Sequence, residues 1–218
     1  KKNNMKCFLI CLFSLIHLQT DAQDLKKQSV KFTFKNEKST DFSIETFKFY
    51  VSQLVFLKNG EIVFEERNSF HLIDIINTKN QFSFDINQSI EYDQIQFLLG
   101  IDSLTNVSGA LDGDLDPTKG MYWAWQSGYI NFKLEGIHSK CPTRDNKFQF
   151  HLGGYLPPFL AAKSILLNCK HSDNIQITFD TASFLNQIDF TTTNTIMSPG
   201  QKTVDLSAIC VKLFKVIE

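Results

Sequence analysis

Four stretches of this chain place large apolar residues at a strict two-residue period. Val30, Phe32 and Phe34 alternate with Lys31 and Thr33. Phe47, Phe49 and Val51 repeat the pattern, as do Phe82, Phe84 and Ile86, then Phe148, Phe150 and Leu152. Successive side chains of a β-strand point to opposite faces, so each run reads as a strand with one buried face. Phenylalanine supplies much of that face, at 21 of 218 residues. Turn signals separate the runs: Asn59-Gly60, residues 77–80 and 100–103, Gly153-Gly154, Pro157-Pro158 and Ser198-Pro199-Gly200. The pattern predicts strands at 28–35, 44–57, 61–66, 68–75, 81–86, 93–100, 128–136, 146–153, 174–180 and 203–217, the last breaking near Ser207. No long segment shows a 3.6-residue period. Short strands at this spacing define an all-β fold, an antiparallel β-sandwich of two packed sheets.

The chain opens with Lys1, Lys2 and Lys6 ahead of an apolar run from Cys7 to Leu18, then Ala22-Gln23. A basic flank and an apolar core too short to span a bilayer read as a secretory signal peptide, residues 1–23. Cys11 follows Leu9-Ile10 and so lacks the small residue that lipidation needs. The expected mature chain, 24–218, is a single domain carrying 19 basic and 22 acidic residues, because the leader removes three Lys and one Asp. That balance gives nucleic acid no electrostatic footprint. No later stretch reaches 18 apolar residues, so no membrane span is expected after cleavage. Of the remaining cysteines, Cys141 and Cys169 are the pair expected to oxidise in an exported protein, with Cys210 left over.

The only tryptophans, Trp123 and Trp125, sit between a turn-rich acidic loop and a β-like segment, 128–135. Asp116-Pro117 reads as an N-cap with Pro at the first helical position, and Ser127-Gly128 as a stop, which predicts a short helical turn at 117–126. Large aromatics there serve either as a core plug with wet polar tips or as a functional surface. His71 lies between Phe70 and Leu72, and His151 between Phe150 and Leu152, so both imidazoles are expected to point away from their strand's most apolar side. Gly153-Gly154 lets backbone or ligand approach closely. His138 and His171 lie in polar, loop-like sequence. Asp112, Asp114 and Asp116 alternate like a calcium loop but lack the EF-hand Gly and Glu, so a solvated turn is the simpler reading. No nucleophile elbow, P-loop, dinucleotide fingerprint or zincin motif occurs.

The block FLLGIDSLTNVSGALDGDLDPTKGMYWAWQSGYINFKLEG, residues 97–136, resembles the MbnP family of copper-binding proteins associated with methanobactin gene clusters. CPTRDNKFQFHLGG (141–154), IMSPG (196–200), FKFYVSQLVFLKNG (47–60) and FHLIDI (70–75) continue the resemblance in the family's order. It implies a periplasmic or secreted β-sandwich that binds copper. It also implies a partner, a dihaem enzyme related to cytochrome c peroxidases, that oxidises a tryptophan to kynurenine. An outer-membrane copper receptor is the second partner that copper acquisition would call for. Indole nitrogen is a poor ligand because its lone pair belongs to the ring; opening the ring frees an aromatic amine that suits copper beside imidazole. On this resemblance His71 and His151 are the expected ligands, with Trp123, or else Trp125, as the modified residue. Met121 and Met197 are reserve thioether ligands for Cu(I), and Asp74 the carboxylate that orients His71. The function expected is copper acquisition, handling or delivery without catalysis. The alternative is a non-metal interaction module presenting Tyr122, Trp123 and Tyr129 to another exported protein.

Overall fold

The computed structural model describes residues 24–35, 40–126 and 128–217; the expected signal peptide lies outside them. The strands are β1 (Leu25–Phe34), β2 (Phe42–Lys58), β3 (Glu61–Glu65), β4 (Phe70–Asp74), β5 (Gln81–Asn87), β6 (Gln94–Leu99), β7 (Tyr122–Trp123), β8 (Gly128–His138), β9 (Lys147–Gly153), β10 (Lys163–Asn168), β11 (Asn174–Phe179), β12 (Thr195–Ile196) and β13 (Phe214–Ile217). Three helices interrupt them: α1 (Ser103–Val107), α2 (Thr181–Leu185) and α3 (Gln201–Val211). The smaller sheet runs β13-β11-β1-β5. The larger runs β10-β6-β2-β8-β9-β12, with β3 and β4 also pairing β2 and β7 pairing β8.

The alternating phenylalanines fill the space between the sheets. Phe32 of the smaller sheet meets Phe49 and Phe97 of the larger edge-on, with ring centroids 5.3 and 5.8 Å apart. Phe47, Val51, Phe132, Leu134, Phe148, Phe150 and Leu152 belong to the same buried cluster. This is the sandwich that the two-residue period predicts.

Three expectations need correction. Pairing is mixed: β1 runs parallel to β11 and β9 parallel to β12. Parallel neighbours require long crossovers, and here each pair is distant in sequence. The strand expected over 203–217 is a helix followed by β13. Thr203, Leu206, Ser207 and Cys210 are its buried positions, at helical spacing. The helix expected at 117–126 is only one 3-10 turn, Pro117–Lys119. Its start is as expected, with Asp116 accepting from the Thr118 N–H, but Gly120 in the left-handed region (φ 73°) ends it. Tyr122 and Trp123 then take strand partners on β8. β10, paired to β6, is a strand that the alternation does not reveal.

Candidate functional site

If one face of the larger sheet is packed against the smaller sheet, the other carries the intervening residues. A row of directly paired residues crosses that outer face: Asp74, Lys48, Lys133 and His151, on β4, β2, β8 and β9. Beside it lies a second apolar cluster of Tyr50, Leu72, Ile101, Leu115, Met121, Trp123, Tyr129 and Ile130. The segment from Gly100 to Gln126 folds over the outer face to make it. Asp114 ties that segment down: it accepts from the Leu72 N–H at 2.8 Å, pairs with Lys119 at 2.9 Å and also pairs with Lys79. Burial raises its pKa, but the bonds from Lys79, Lys119 and Leu72 outweigh burial and hold it below the ordinary carboxylate range. A carboxylate committed to two ammonium groups and a backbone donor is an anchor, which argues against the calcium reading of this loop. Lys48 and Lys133 donate to the carbonyls of Lys119 and Gly120. Tyr50 and Tyr129 donate to the carbonyls of Asp114 and Leu115, each at 3.1 Å.

Within this cover, Trp123 packs against β9 at Gly153. A Cβ placed on Gly153 would fall 2.7 Å from Trp123 Cζ3 and 2.7 Å from the Tyr129 carbonyl oxygen. The glycine is there because the indole occupies the space a side chain would need. Gly153 and His151 are two residues apart on β9 and share its outer face, so Trp123 covers the strand face to which His151 belongs. His151 is buried. Its Nε2 is 2.6 Å from Glu135 Oε1, a hydrogen bond that is the main cause drawing the Glu135 pKa down to about 2. A neutral imidazole that donates Nε2–H to the carboxylate has its lone pair on Nδ1. Nδ1 of His151 and Nε1 of Trp123 are both buried without a hydrogen-bond partner among the described residues. An imidazole fixed by a carboxylate through one nitrogen, with the other free, is how metal-binding histidines are commonly oriented.

Met121 is fully buried in the second cluster beside Trp123. Met197 is exposed; it lies one residue past β12, whose Ile196 pairs with Phe150, the residue before His151.

The structure does not bring His71 and His151 together. His71 pairs with Val51, an interior position, and its ring stacks on Phe82 of the smaller sheet with centroids 3.6 Å apart. His151 faces the other side. β2 and β8 also lie between their strands, a separation of about 14 Å at ordinary strand spacing. The carboxylate on His71 is Glu66, 2.8 Å from Nε2, and not Asp74. Asp74 is on the outer face, bonded to Lys48 at 3.0 Å and to Asn77.

The contact surface imagined for an interaction module is also largely absent, because Trp123 and Tyr129 are buried. Trp125 is the exposed one. Cys141, Cys169 and Cys210 are all free thiols; Cys141 donates to the Lys147 carbonyl at 2.9 Å instead of pairing with Cys169. Burial and the neighbouring Asp93 push the Cys169 thiol up to about 11. Glu135 is the site residue that sequence reasoning missed. It sits diagonally across β8 and β9 from His151, a relation that only strand pairing reveals.

A family model described as MbnP matches residues 16–198. The chain belongs to the MbnP family. A solved structure, MbnP from Methylosinus trichosporium, is similar to it at 11% identity with a TM-score of 0.59, covering 81% of this chain and 82% of that one. At that identity the likeness establishes the shared fold. No curated protein matches. The MbnP match spans β1 to β12 and takes in His151, Glu135, both tryptophans and both methionines of the outer-face site.

Proposed function

We propose that this MbnP-family chain is an exported copper-binding protein for copper acquisition, handling or delivery, with no catalysis of its own. The observation that carries the proposal is the unpartnered Nδ1 of buried His151, held by Glu135 on the strand face that Trp123 covers at Gly153. The donor chemistry narrows the ion. Among the described residues no three His, Cys, Asp or Glu side chains converge for a metal, so a site built from hard or all-imidazole donors does not fit. One imidazole with thioethers at hand fits Cu(I), which accepts soft ligands and low coordination numbers. His151 would hold the ion, and Met197 and Met121 would supply its soft donors. Bound copper would supply a redox couple at a water-poor surface; Glu135 would keep the imidazole tautomer and Lys133 the loop above it.

Trp123 is the residue we assign to oxidative ring opening by a dihaem peroxidase-like partner, since kynurenine would turn a non-ligand into an amine donor. Intact-mass measurement after export reads that conversion as gain of one oxygen and loss of one carbon. For the metal, Cu(I) titration against a competing chelator is the test. His151→Ala should abolish tight binding, whereas His71→Ala should leave it within about twofold. Unchanged affinity in His151→Ala would refute the site.

A further inference from the structure

The two tryptophans are close neighbours in contrasting surroundings. Their ring centroids are 5.8 Å apart, with planes tilted by 43°. Trp123 is 6% exposed, and its Nε1–H has no acceptor among the described residues. Trp125, at the turn of the β7–β8 hairpin, is 66% exposed.

That contrast decides what each ring does on losing an electron. An oxidised indole is a cation radical and a much stronger acid than the parent ring. At Trp125 water solvates the charge and takes the Nε1 proton. At Trp123 the charge would be desolvated and no acceptor among the described residues lies within hydrogen-bond distance of its Nε1 proton, so the oxidised form is disfavoured there. At this separation the rings exchange electrons readily.

We propose that Trp125 is the exit through which oxidising equivalents leave the buried Trp123 site. A one-electron oxidant removes an electron from Trp123, and Trp125 replaces it. Trp125 then releases its Nε1 proton to water and becomes a neutral indolyl radical, while Trp123 returns to its closed-shell indole. In total one electron passes from Trp125 to the oxidant and one proton to solvent. The proposal rests on the reading of Trp123 as the residue that the dihaem partner oxidises and deepens it, because a peroxidase-type enzyme is a source of such one-electron equivalents. The step itself needs only the two indoles. An enzyme that opens the Trp123 ring would have to outpace this drain.

The test uses the purified, metal-free protein, so a failure of copper binding leaves it intact. Photogenerated tris(bipyridine)ruthenium(III) supplies the one-electron oxidant, and fragment-ion mass spectrometry locates the oxidised residue. In the wild type, products should collect on Trp125 with Trp123 intact. In Trp125→Phe they should shift to Trp123. Trp125→Tyr should restore protection, since an exposed phenol also gives its proton to water on oxidation. Equal oxidation of Trp123 in the wild type and Trp125→Phe would overturn the proposal, as would an untouched Trp123 in Trp125→Phe or a Tyr variant that protects no better than Phe.

Discussion

Gly153→Ala tests the packing on which the candidate site depends. The added Cβ would sit 2.7 Å from the Tyr129 carbonyl oxygen, 2.7 Å from Trp123 Cζ3 and 3.0 Å from Cη2. Ordinary contact begins at 3.4 Å, so something must move by about 0.7 Å. The carbonyl is joined directly to Ile130, the β8 partner of Gly153, and cannot yield without disturbing the ladder to β9. The indole can yield only by pushing into the fully buried Met121 and Tyr129 layer. Overpacking of this kind costs about 1–3 kcal/mol. For a domain of this size that is a fall in melting temperature of roughly 2–12 °C. The measurement is urea unfolding in a Trp125→Phe background, so that Trp123 is the sole indole emitter and its displacement shifts the native emission. Gly200→Ala is the control for emission, because no atom lies within 4 Å of its Cβ position; loss of the N-cap glycine costs up to about 1 kcal/mol but should leave the Trp123 emission unchanged. A Gly153→Ala protein within about 0.5 kcal/mol of its parent, with unchanged emission, would refute the placement of Trp123 against β9.

Other perturbations probe the cover and the histidine separately. Asp114→Ala leaves the Leu72 N–H without its acceptor and should cost about 1–3 kcal/mol in urea unfolding. Asp114→Asn retains an acceptor and loses only partly exposed ion pairs, so it should cost under about 1 kcal/mol; equal costs would mean that the Leu72 bond carries no weight. Because the Glu135 pKa falls on folding, from an ordinary 4.5 to about 2, its contribution to stability is complete above the ordinary value. It drains away as pH drops through 4.5 towards 2, so Glu135→Gln should flatten the acid limb of a stability–pH curve. A variant with the wild-type acid slope would show that the His151 contact does not hold the carboxylate ionised.

Much of the fold is legible in the residues because Phe32, Phe49, Phe84 and Phe150 obey a two-residue period wherever they occur. Helix α3 escapes that reading: Ile209, Val211 and Leu213 imitate strand alternation, while the 203, 206, 207 and 210 positions that are buried follow a helical period. The site is harder to read for a reason that His71 and His151 make plain. Both sit between two apolar residues, and that pattern says only that the histidine faces away from them. Phe150 and Leu152 face the space between the sheets, so His151 faces the outer surface. Phe70 and Leu72 face the second cluster under the Trp loop, so His71 faces inward, toward Phe82. A sheet covered by apolar layers on both sides has no wet face for the pattern to identify. Identical local sequence logic therefore sends two histidines to opposite sides of one sheet. The same double cover that hides this from the sequence also shields His151 Nδ1 and Trp123 from water, and that shielding is what a soft, easily oxidised ion beside them would require.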